Sequence, residues 1–298
     1  MKPSLLRIAG ALLTLGVALG IAMGTATEGV TVWGLPAMVA CAIVAIGMNW
    51  LAFVPAAMQK TESYYDMVGS VTYLSVVGLA LLAAYKNGLW RTESAVTAAM
   101  VGVWTLRLGV FLFKRIHRVG KDGRFDAIKV VPSKFFFAWT MQGLWVFVTL
   151  LAVLVTMLGA MPNATEVMDT HPVTWVGWSL WVLGFGIEVI ADRQKSVFNS
   201  DPANQGRWID VGLWRTSQHP NYFGEWLLWT GLFVAGIPGY AGLGWLACLS
   251  PLFVLLLLTK GSGIPILDER AMAKWGDNPA YLAYRSRTSK FICLPPKA

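Results

Sequence analysis

Charge is what this sequence has least of. Asp, Glu, Lys and Arg make up 13% of its 298 residues, about half the share of an ordinary soluble domain. The space is taken by apolar runs, several of which reach the roughly 17–25 residues that cross a bilayer as helix. A soluble globular fold is excluded on that ground. Histidine is scarce too: only His117, His171 and His219 occur. A membrane di-iron oxygenase needs many more ligands, and the three fall on opposite sides of the expected membrane, which argues against a haem held between two of them. Cys41, Cys248 and Cys293 are an odd, scattered set with no Cys-x-x-Cys, so neither a disulfide framework nor a zinc signature is present. No G-x-G-x-x-G follows a strand and no G-x-x-x-x-G-K-[ST] occurs, which removes the soluble nucleotide folds. "GSGIP" at 261–265 lacks the third glycine. Internal repeats, low-complexity tracts and long linkers are absent, and no pair of broken mid-membrane helices suggests a transporter.

The apolar runs predict an all-α, polytopic membrane bundle of seven to eight helices. Spans are expected near 5–23, 32–57, 67–84, 95–113, 135–160, 173–190, 222–238 and 243–258. With eight spans, 21 of the 24 Lys and Arg fall on one side, the exceptions being Lys86, Arg91 and Arg107. Basic residues mark the cytoplasmic side, so both termini are expected there. The net charge of +8 is therefore read as topology, not as a nucleic-acid footprint. Residues 1–28 form an extra first helix ahead of a membrane domain at 29–298. Their basic start, apolar middle and small residues also suit a signal peptide; the expectation is a retained helix, and cleavage would leave seven spans.

Polar residues gather at one depth. After span two comes "QKTESYYD" (59–66), with Glu62, Tyr64, Tyr65 and Asp66. At the end of span six, Glu188, Asp192, Lys195 and Asn199 step by four, three and four and share one helix face. Span seven opens with "SQHPNYFGEW" (217–226), which supplies His219, Asn221, Tyr222 and Glu225. Glu225 lies one turn inside an apolar helix, where an unpaired charge costs about 2.5–3.5 kcal/mol. Arg107, inside span four, offers a structural partner for Glu225, Glu62 or Asp66. His219-Pro220 suits an extended residue followed by a helix start, and that positive helix end, with Arg215 and Lys195 nearby, suits an anion. The acids at the inner ends of spans two, six and seven are expected to line one cytoplasmic vestibule.

"LWRTSQHPNYFGEWLLWTG" (213–231), "QKTESYYDMVGSVTYL" (59–74) and "SGIPILDERAMAKWGDNPAYLAYRSRTSKFI" (262–292) resemble the bacterial membrane proteins grouped with steroid 5-alpha reductases. The resemblance implies a bundle of about seven helices that reduces an activated carbon–carbon double bond of a lipophilic substrate, taken from the bilayer, with NADPH bound from the cytosol. It matches Asn221 and Glu225 to the N-x-x-G-E cofactor segment and Asp192 and Lys195 to cofactor contacts. Glu188, Asn199, Arg215, His219 and Tyr222 join them as candidates. Glu62 matches the acid that, with a tyrosine, polarises the substrate carbonyl. If burial keeps it protonated, it donates to the oxygen where negative charge develops, a bond worth about 3–4 kcal/mol. "VWTLRLG" (103–109) carries Trp104 and Arg107 and no phenol, which leaves Tyr64 or Tyr65 for the partner role, with Tyr65 carried as the candidate beside Glu62. "HPNYFGE" with Asp268-Glu269 and Tyr281-x-x-Tyr284 also resembles the membrane methyltransferases of isoprenylcysteine and phospholipids, which implies S-adenosylmethionine as the alternative cofactor.

Overall fold

The computed structural model describes residues 3–119, 122–123, 125–159 and 171–297. Of the basic residues that set the expected topology, Lys2, Lys121, Arg124 and the side chains of Arg115 and Arg118 lie outside the described residues. So do the His117 side chain and Ala160, the end of the expected fifth span. Among the described residues the chain forms ten α-helices: α1 Pro3–Gly24, α2 Ala37–Gln59, α3 Tyr65–Lys86, α4 Thr92–Val119, α5 Pro132–Leu158, α6 Pro172–Ser200, α7 Pro220–Gly236, α8 Leu249–Lys260, α9 Ile264–Trp275 and α10 Pro279–Arg287. The only sheet among those residues is a hairpin, Thr31–Val32 against Leu35–Pro36. Proline stands at the first or second position of α5, α6, α7, α9 and α10. Its fixed φ suits a helix start and its missing N–H costs nothing there.

Among the described residues, seven helical stretches are long and apolar enough to cross a bilayer: α1 to α6, and Gly242–Trp275. In the last of these, Asp268, Glu269, Arg270 and Lys274 all fall in α9, so its apolar part ends with α8. Helix α7 has 17 residues, the short limit for a crossing. The protein is a polytopic helical membrane bundle.

Two helices start later than the sequence pattern predicts. The second span was expected from residue 32, but Trp33 and Gly34 take positive φ values of 55° and 75° and turn the chain in a hairpin, as two left-handed residues do. Helix α2 starts after it. The last span was expected from residue 243, but Gly242–Cys248 is 3₁₀. Pro251 suits the first turn of a helix, where its missing N–H costs nothing, and α8 begins at Leu249.

The chain divides into two compact units, 1–170 with 238–249, and 171–237 with 250–298. In the first unit, α5 is the central helix, with nearly every residue from Val146 to Leu158 buried. A helix apolar all round belongs in such a place. Gly143 lets α5 approach α2: a Cβ there would lie 2.8 Å from Ile46 Cα. Trp50 Nε1 donates to Thr140 Oγ1 at 2.9 Å, and Gln142 Nε2 donates to Tyr65 O at 2.9 Å. Helix α1 packs on α5 as well, and Arg7 donates to Ser133 Oγ at 3.2 Å.

Candidate functional site

The second unit is built on the α6–α7 pair, and four glycines set its spacing. Gly177 and Gly184 on α6, and Gly224 and Gly231 on α7, are each seven residues apart. The helices run antiparallel with Gly184 against Gly224 and Gly177 against Gly231. A Cβ on Gly184 would lie 2.5 Å from Leu228 N, and one on Gly224 would lie 2.6 Å from Glu188 N. The backbones touch, as small residues permit in membrane helix pairs.

That contact fixes where the polar residues go. Gly224 abuts the backbone of Glu188, so the end of α6 and the start of α7 are held side by side. Asn221 Nδ2 donates to Asp192 Oδ1 at 3.1 Å. Glu188 and Asp192 are 3% and 8% exposed, and Glu225 is half-buried, one turn beyond Asn221. The structure thus brings Asp192 of α6 together with Asn221 of α7. Lys195 reaches over the Trp214 ring, 4.7 Å from its centre, and Trp214 Nε1 donates to Ala191 O at 3.1 Å. Asn199 and Arg215 are solvent-exposed, and among the described residues neither makes a side-chain hydrogen bond to this cluster.

His219 stands at the α7 entrance with φ −141° and ψ 58°, outside the helical region as the following proline requires. It is buried and stacks on Tyr222, ring centres 5.8 Å apart. Its Nε2 lies 3.6 Å from Asp268 Oδ1, too far for a hydrogen bond, and has no hydrogen-bond partner. The His219 side chain does not cap α7, whose N-terminal end carries the positive pole of the helix. Burial pushes the His219 imidazole below its ordinary pKa, against the pull of Asp268. His219 first, then Lys290 and Arg285, hold the Asp268 carboxyl well below the usual carboxylate range. Lys290 is 2.5 Å and Arg285 3.5 Å from Asp268 Oδ2.

The segment before α7 is fixed by the chain after α10. Ser217 bridges Ser289, its Oγ donates to Phe291 O at 2.8 Å, and Gln218 Nε2 donates to the carbonyls of Arg285 and Thr288. Tyr284 donates to Trp214 O at 2.8 Å. Ser217 and Gln218 were missed from sequence because their partners are backbone groups some 70 residues away, and no pattern encodes such a pair.

Glu62 and Tyr65 belong to the first unit, where both are engaged by neighbouring groups. Glu62 is 6% exposed, and Lys129 Nζ donates to its Oε2 at 2.7 Å while Asp122 N donates to Oε1 at 3.1 Å. Both of its oxygens thus accept hydrogen bonds from neighbouring groups. Tyr65 donates to Ala138 O at 3.0 Å and packs between Phe125 and Trp139, so its phenolic proton is engaged as well. Glu62 ties the turn before α3 to the loop before α5, and Tyr65 ties α3 to α5. Arg107, considered as a partner for the acids, lies over the Phe111 ring at 5.6 Å.

Fold and site together define a helical membrane protein with a buried acid–amide cluster at one helix entrance. The chain belongs to the family described as protein of unknown function (DUF1295), whose model matches residues 51–288. No curated protein and no solved structure matches it.

Proposed function

We propose that the chain is an NADPH-dependent reductase of an activated carbon–carbon double bond in a lipophilic substrate, with the cofactor held in the second unit. The observation that carries the cofactor site is the Asp192–Asn221 hydrogen bond. It joins, across two helices, the residues that the likeness to steroid 5-alpha reductases singles out. The chemistry of the group fits. The buried Nε2 of His219 makes no hydrogen bond and would meet a polar group of the cofactor, and the positive end of α7 with Lys195 and Arg215 suits phosphates. Asn221, oriented by Asp192, presents its amide oxygen as an acceptor. Bound NADPH would supply the hydride; Glu188 and Glu225 would hold the polar end of the site in register, and Tyr222 on His219 would wall it. Glu62 has no part in this proposal, because Lys129 occupies it.

A second reading, an S-adenosylmethionine-dependent methyltransferase, draws support from Asp268 beside His219. An acid there suits the cofactor's amine. The charge of Asp268 is already balanced by Lys290 and Arg285, which weakens that support.

Thermal melting of the purified protein in detergent decides between them. A ligand that binds only the folded state at a hundredfold its Kd adds about 2.7 kcal/mol. NADPH is expected to raise Tm and S-adenosylmethionine to leave it unchanged, with the shift lost in Asn221→Ala and weakened in Glu225→Gln. A rise with S-adenosylmethionine alone would establish the methyltransferase, and no rise with either would remove the cofactor site.

A further inference from the structure

A concavity lies on the side of α6 away from Glu188 and Asp192. It is an open depression of about 510 Å³ lined by Ile190, Arg193, Val197, Phe198, Asp201 and Val211, among others. At roughly 100° per residue, Ile190, Arg193 and Val197 point roughly 180° away from Glu188, Asp192 and Lys195. The accessibilities agree: Ile190 and Val197 are 51% and 61% exposed, Glu188 and Asp192 nearly buried. The cavity is therefore separate from the proposed cofactor site.

Followed back along α6, the same face carries Leu183 and Val176, both more than half exposed. In a membrane span this is a lipid-facing stripe, and it runs straight into the cavity. The stripe ends where charge begins. Of the polar groups there, Gln194 accepts from Leu213 N at 3.0 Å and Asn204 donates to Phe198 O at 3.1 Å. Asp201 uses one oxygen to accept from Ala203 N at 2.9 Å, which leaves the other. Arg193 has no ion-pair partner among the described residues.

We propose that this cavity binds a membrane phospholipid with a zwitterionic, primary-ammonium head. An acyl chain lies along Val176, Leu183 and Ile190, the phosphate meets Arg193, and the ammonium meets the second oxygen of Asp201. One cation and one carboxylate in the same pocket match such a head and oppose a second negative charge. The lipid is a resident of the fold's surface, independent of either function reading.

Native mass spectrometry of the protein released from micelles containing phosphatidylethanolamine, phosphatidylglycerol or inorganic phosphate tests it. The wild type is expected to keep one phosphatidylethanolamine at least fivefold above phosphatidylglycerol, and Arg193→Gln to lose most of it. Asp201→Asn keeps a good helix-capping group, so it should fold, and it should erase the preference between the two lipids. Equal retention in wild type and Arg193→Gln, preference for phosphatidylglycerol, or displacement of the lipid by phosphate alone would each overturn the proposal. Arg193→Gln should leave any NADPH-induced rise in Tm intact, which separates failure here from failure of the cofactor site.

Discussion

At the scale of single residues, the Glu62–Lys129 pair and His219 make opposite demands. Removing one member of a buried ion pair strands the other, and a hydrogen bond to a charged group contributes about 1.5–3 kcal/mol. Glu62→Gln is therefore expected to lower stability by about 2 kcal/mol, with Lys129→Met costing a similar amount and the double variant less than the sum, as read by detergent melts. A loss of turnover without loss of stability would instead return Glu62 to the chemistry. His219 works through protons. Burial lowers its folded-state pKa, so as pH falls below about 6.5, the ordinary histidine value, the unfolded chain takes up a proton that the folded chain refuses. Stability must fall with pH across that window. Melting at pH 7.5 and 5.5 should show the drop in wild type and a flatter profile in His219→Asn; identical slopes would mean that another group sets the acid limit.

At the scale of elements, the α6–α7 contact concentrates the risk in a few glycines. A methyl group at Gly184 or Gly224 meets backbone, which cannot rotate away, and overpacking of this kind costs about 1–3 kcal/mol. Gly184→Ala should lower Tm and disturb Asp192, two turns further along α6, and Asn221, one turn from Gly224 on α7. Gly186→Ala, where nothing lies within 4 Å of the added atom, should be neutral. Equal effects of the two would show that helix propensity rather than backbone contact governs the pair. The same elements show what a sequence can and cannot disclose. The cluster of Glu188, Asp192 and Asn221 was legible because helical spacing is periodic and charge is rare here. The seven-residue spacing of glycines on both helices was present in the sequence too, and only its antiparallel partner gave it meaning. Lys129 was not legible as the partner of Glu62, since it comes from a turn 67 residues away and loop-borne ion pairs have no period. The late start of α8 escaped because the run is apolar from residue 243 onward, and hydropathy does not distinguish a 3₁₀ turn from an α-helix.

At the scale of the whole molecule, the shortest crossing decides the topology. Helix α7, at 17 residues, spans about 25 Å at 1.5 Å per residue, a few ångströms less than the hydrocarbon core of about 30 Å. Were it not to cross, the segment after α6 and the tail after α8 would lie on opposite sides. Yet the first carries Arg193, Lys195, Arg207 and Arg215, and the second carries Lys260, Arg270, Lys274, Arg285, Arg287, Lys290 and Lys297. Two such basic segments belong on one side of the membrane. The folded chain adds an independent constraint: Ser217 and Gln218 before α7 are hydrogen-bonded to residues 285–291 after α8, which requires the chain to leave that side and return to it. A thinned bilayer around α7 absorbs the mismatch at a fraction of a kcal/mol per ångström. A fluorescent protein that folds only in the cytoplasm should therefore be bright when fused at Ala298 and also when fused after Asn204 in a truncated chain, while alkaline phosphatase at both points stays inactive. Phosphatase activity at the C-terminal fusion alone would place α7 as a helix that enters the membrane without crossing it, and with it the hydrogen bonds that tie the tail to Ser217 and Gln218 would have to be abandoned.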